Sequence, residues 1–72
     1  MAKYHVEEMY GDIVTATYIV EATTPLRAAA EATKREITLR KNEFIWIRVT
    51  DEKRFNRFQY SFSQTARSRS SR

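Results

Sequence analysis

Few residues in this chain have chemical reach. The single histidine, His5, stands two positions from Glu7, so the two would share one face of a strand. A zinc site needs three or four ligands, and no metal is expected from two. Glu7–Glu8 and Asp51–Glu52 are adjacent carboxylates. Neighbours on a strand point to opposite faces, so neither pair reads as an acid/base couple. There is no cysteine, and the tail serines have no structured base beside them. A phosphate-cradling loop needs clustered glycines, and Gly11 is alone. The expectation is a non-enzyme with no catalytic residue, no cofactor and no small-molecule substrate.

The remaining chemistry is recognition. "EFIWIRVT", Glu43 to Thr50, alternates strictly and holds the only tryptophan. Ile45, Ile47 and Val49 form one set, assigned to the core; Phe44, Trp46 and Arg48 form the other. Both sets are costly to expose if the strand lies in a sheet covered on one side only. The question is what lies over Trp46.

The elements around this strand are legible from pattern. "KYHVEEMY" alternates, with Tyr4 and Val6 on one side and His5, Glu7 and Met9 on the other; Gly11–Asp12 is a turn. "IVTATYIVEA" is rich in β-branched residues. Its set Val14, Ala16, Tyr18, Val20 and Ala22 is assigned to the core, leaving Ile13, Thr15, Thr17, Ile19 and Glu21 outside. A helix is expected over residues 25–35, with Thr24 as N-cap and Pro25 as its first residue. Leu26, Ala29, Ala30 and Thr33 would face inward at i, i+3, i+4, i+7, with Lys34 and Arg35 in the last turn. "EITLR" is a short strand with Ile37 and Leu39 inward. "KNE" is a turn in which Asn42 suits a left-handed conformation. "DEKR" is a polar connection, and Phe58, Tyr60 and Phe62 alternate inward at the end.

The fold class expected is α+β: a small two-layer sandwich of an antiparallel four- or five-stranded sheet with one helix on one face, in the order β-β-α-β-β-β or β-β-α-β-β. This order resembles a β-grasp outline in its spacing, with no motif through which a function could be carried over. Residues 1–62 make one domain. The segment from Ser63 to Arg72, "SQTARSRSSR", has no large apolar residue and is expected to be disordered.

Composition sets the limits. Seventy-two residues build a marginal core, because a chain of about 60 residues buries only about 60% of its unfolded surface. Without disulfides or a metal, a partner subunit is the reinforcement left. Absence of cysteine suits a reducing cytoplasm. No apolar run approaches the ~20 residues that span a bilayer, so no membrane partner is expected. The net charge is +4, yet residues 1–62 hold ten Lys/Arg against nine Asp/Glu. Most of the basic excess is Arg67, Arg69 and Arg72, candidate phosphate contacts whose attraction would fade in salt.

Three readings of the Trp46 face follow. In the first, Phe44, Trp46, Arg48, Arg57, Ile19 and Met9 form a protein-interaction surface, most simply for a second copy of the chain, since Trp and Arg dominate interface hot spots. In the second, Phe44, Trp46, Arg48 and Arg57 bind single-stranded nucleic acid by stacking and backbone contact, assisted by the tail arginines. In the third, Trp46 lies under a folded-back loop or against the stems of Arg48 and Arg57, as ordinary packing.

Overall fold

The structure, a computed structural model, describes residues 1–41 and 43–63 of the chain. Six elements follow in the order β1 (Ala2–Tyr10), β2 (Ile13–Ala22), α1 (Pro25–Thr33), β3 (Ile37–Leu39), β4 (Ile45–Asp51) and β5 (Arg57–Phe62). The strands form one sheet in the order β2-β1-β4-β5-β3, and every pairing is antiparallel. The α+β expectation with five strands and one helix is thus met. No helix among the described residues is long and apolar enough to cross a membrane.

The core lies between α1 and one face of the sheet. Val6, Ile47 and Val49 are fully enclosed, with Tyr4, Ala22, Tyr60 and Phe62 around them. Helix α1 contributes Ala28 and Ala29, and Ala32 packs against them. Alanines bring the helix backbone close to the sheet, so the apolar area comes mostly from the strands. Thr24 caps the helix by accepting from the Arg27 amide at 3.1 Å. The helix ends earlier than expected: Lys34 takes a left-handed conformation, φ 61°, and its N–H donates to the Ala30 carbonyl. The inward stripe also differs from the expected one. It is Ala28, Ala29 and Ala32 rather than Leu26, Ala29, Ala30 and Thr33, and Leu26 is exposed. With alanine at 28, 29, 30 and 32, neighbouring stripes are almost equally apolar, and only close packing on the sheet decides between them. Arg35 lies past the helix and places its guanidinium 3.9 Å over the Phe62 ring.

The β1–β2 hairpin turns at Gly11–Asp12. Gly11 has φ +61° at the first central position, which primed hairpin turns require. One register shift follows: Glu8 opposes Ala16, but Met9 opposes Val14, so Thr15 is an extra residue. The bulge moves the end of β2 to the other set. Val14 leaves the core side assigned to it, and Ile13 joins Tyr10 and Ile45 in one cross-strand row.

Candidate functional site

The answer to what covers Trp46 is the chain itself. Trp46 is 8% exposed. Beside it across the β1–β4 ladder stands Met9, 2% exposed. Its indole N–H donates to the Gly11 carbonyl at 2.9 Å. Over its ring, 4.2 Å from the centroid, lies the guanidinium of Arg40. That guanidinium is fixed at three points, donating to the Lys41 and Glu43 carbonyls and to Oε1 of Gln59. The following residue closes the same loop: the Lys41 N–H donates to Oγ of Ser61, a fully buried hydroxyl, at 2.8 Å. Arg40 and Lys41, just past β3, therefore lie against the sheet face that α1 leaves open.

Two expectations about this face are corrected. Met9 and Trp46 are buried rather than displayed, and Trp46 is met by the Arg40 guanidinium and the Gly11 carbonyl. The arginine stacked on Trp46 is Arg40, not Arg48 or Arg57. Arg48 binds Glu7 instead, Nε to Oε1 at 2.7 Å, and Arg57 is exposed at the far end, opposite Thr50. Arg40 went unassigned in the sequence as the end of a short strand. Its parity with Thr38, two residues earlier, was the available signal, since residues two apart share a face.

Phe44 also departs from the alternation. It precedes β4 rather than lying in it, and is 63% exposed. Its ring meets Tyr10 edge-on, centroids 4.5 Å apart, and sits so close over Gly11 that an added Cβ would fall 2.8 Å from it. The Gly11 N–H donates to the Phe44 carbonyl at 2.8 Å. Phe44 thus clamps the hairpin turn to the start of β4.

The exposed apolar surface lies at that clamp. Helix α1 has nine residues and β2 has ten. At ~1.5 Å against ~3.4 Å per residue, the helix covers less than half the strand's length. On the helix side beyond it, Ile13, Tyr10 and Ile45 stand in one row, 64%, 51% and 50% exposed, with Phe44 against Tyr10. Ile45 was expected in the core, and so was Leu39, which is 75% exposed at the β3 edge. At the border of the row, the Tyr18 hydroxyl donates to Glu8 at 3.2 Å, and the nearby carboxylate charge holds the Tyr18 phenol above its ordinary pKa. The remaining member of the expected interaction set, Ile19, is exposed opposite His5.

A shallow depression elsewhere on the open face is lined by His5, Glu7, Arg48, Arg57 and Phe55, among others. Phe55 is 77% exposed and has φ 62°. Asp51 organises its turn by accepting from the Lys53 and Arg54 amides. Phe55 precedes β5 and is a displayed aromatic that alternation alone does not single out. Among the described residues no group of three or more His, Cys, Asp or Glu could hold a metal ion. Asn42 and the arginines at 67, 69 and 72 lie outside the described residues, as does all but Ser63 of the expected tail.

No family model matches the chain, and no curated protein or solved structure matches it either.

Proposed function

We propose that this chain is a small non-enzymatic protein-interaction module whose contact surface is the apolar end of the sheet at the β1–β2 hairpin. The supporting observation is the continuous set Tyr10, Ile13, Phe44 and Ile45, each at least half exposed. Single exposed apolar residues need no explanation, but a contiguous group of this kind marks interaction surfaces. Trp46 holds Gly11 through its indole N–H, and the Gly11 N–H in turn bonds the Phe44 carbonyl. A cytoplasmic location belongs to the same proposal, on the ground that a cysteine-free chain suits a reducing compartment.

The test is site-specific photo-crosslinking in the cell of origin, with the probe at position 45 and a control probe at exposed Arg27 on the helix. A discrete adduct from position 45 that is absent from position 27 is the expected result. Equal, background-level labelling from both positions would remove the proposal.

A second reading has its own observation. Phe55 projects beside Arg57 and Arg48, an aromatic with two cations, as in single-strand nucleic-acid sites. Glu7 and Glu52 lie in the same depression, and Glu7 neutralises Arg48. The protein-interaction reading is therefore preferred. Oligonucleotide titration of Phe55→Ala against the unaltered chain separates the two.

A further inference from the structure

The two edges of the sheet differ. β3 is three residues long and stops at the Arg40 loop. Short edge strands protect a sheet from unwanted pairing. β2 has ten residues, one charge (Glu21), no proline and many β-branched side chains. Ile13, Val14, Tyr18 and Ile19 are all exposed along it. Nothing among the described residues pairs with its outer backbone.

Which groups face outward follows from the ladder. The Lys3 carbonyl accepts from Glu52, just past β4. Lys3 therefore turns towards β4, and by alternation so do His5 and Glu7, while Tyr4 and Val6 bond to β2. Their partners on β2 are Val20 and Tyr18, which bond inward. Glu21, Ile19 and Thr17, opposite Lys3, His5 and Glu7, then turn both N–H and C=O away from the sheet.

We infer that this edge is completed by β2 of a second copy, antiparallel about a two-fold axis at Ile19. This edge is a surface separate from the hairpin end, and the two stand or fall independently. In this register Ile19 meets its own copy, Thr17 meets Glu21 and Tyr18 meets Val20. All outward N–H and C=O groups of residues 17, 19 and 21 are paired. The exposed Ile19 side chains meet across the axis, and no like charges oppose each other: each Glu21 faces a threonine and keeps Lys3 as its neighbour within its own sheet. The two sheets become one of ten strands with both helices on the same side. The contact is narrow, in the class of small interfaces below about 1,200 Å², so the dimer is of the weak, exchanging kind.

Sedimentation velocity of the full chain at rising concentration, up to several hundred micromolar, is the test. Three variants accompany it. Thr17→Pro deletes an outward N–H without touching the β1 ladder, and proline is tolerated on strand edges. Ile19→Lys sets two like charges face to face on the axis. Ile45→Glu alters the hairpin-end surface and leaves the edge intact. The far-ultraviolet spectrum and Trp46 fluorescence confirm that each is folded; if Thr17→Pro is not, Ile19→Lys alone decides. A dimer weakened at least tenfold by Thr17→Pro and Ile19→Lys, and unchanged by Ile45→Glu, is the expected result. A chain that stays monomeric throughout overturns the edge pairing and leaves crosslinking from position 45 to judge the hairpin-end surface. A dimer lost in Ile45→Glu but kept in the two edge variants overturns the edge pairing while sustaining that surface.

Discussion

Arg40 does at one position what a second layer would do for a larger protein. Its guanidinium covers the Trp46 ring and satisfies two carbonyls and the Gln59 side chain. Arg40→Ala leaves the indole wet and removes those bonds. A cost of about 1–2 kcal/mol is expected from the cation–π and hydrogen-bond terms together. Urea unfolding measures it, and a red-shifted Trp46 emission in the folded variant identifies the cause. Tyrosine sets a different limit. Carboxylate charge at Glu8, then the hydrogen bond to it, raise the Tyr18 phenol; burial, then Tyr4, raise that of Tyr60. In each case the unfolded chain loses its proton first. The contribution to stability is therefore complete below the ordinary tyrosine pKa of about 10 and is lost as pH rises through the higher folded value. Urea midpoints taken between about pH 9 and pH 12 should fall with pH, and less steeply in Tyr18→Phe. Equal slopes would show that the Glu8 contact does not persist in solution.

At the scale of elements, what could be read was what depends on local chemistry. Thr24-Pro25 announces the helix start by a mechanism that needs no tertiary context, and Thr24→Ala should cost about 1 kcal/mol. The helix end was missed because it rests on a lysine at φ 61°, a conformation the sequence does not advertise. Lys34→Gly should remove that strain and stabilise the fold by several tenths of a kcal/mol, up to about 1; a lower thermal midpoint would show that Lys34 makes a contact worth more than the strain. Alternation located the strands, and it assigned Tyr4, Val6, Ile47, Val49, Tyr60 and Phe62 to the core. It failed for the face of Ile13 and for the burial of Val14, Tyr18, Leu39 and Ile45, for two physical reasons. A one-residue bulge at Thr15 exchanges the faces of the end of β2. A short helix leaves part of its own side of the sheet bare, so a core-side position there is an exposed one. The Trp46 site was half legible: its face was recognised, while its cover came from a loop whose path only the folded chain reveals.

At the scale of the whole molecule, charge is divided from shape. The sheet and helix, residues 1–62, carry ten basic and nine acidic side chains, and three further arginines follow at 67, 69 and 72. A nearly neutral body has little long-range pull on phosphate, so any binding to single-stranded nucleic acid is expected to come from those three residues. Three cations on a single strand give a slope of about −2 in log K against log salt. A fourfold rise in salt then weakens binding roughly fifteenfold. A chain ending at Ser63 should lose the interaction at every salt concentration while its sheet, held there by the Ser63 N–H on the Glu36 carbonyl, stays folded. If the shortened chain instead binds as tightly, and Phe55→Ala abolishes it, the depression beside Arg48 and Arg57 is a nucleic-acid site. The balance between the two functional readings would then reverse, because an aromatic held at positive φ would have a ligand to account for it.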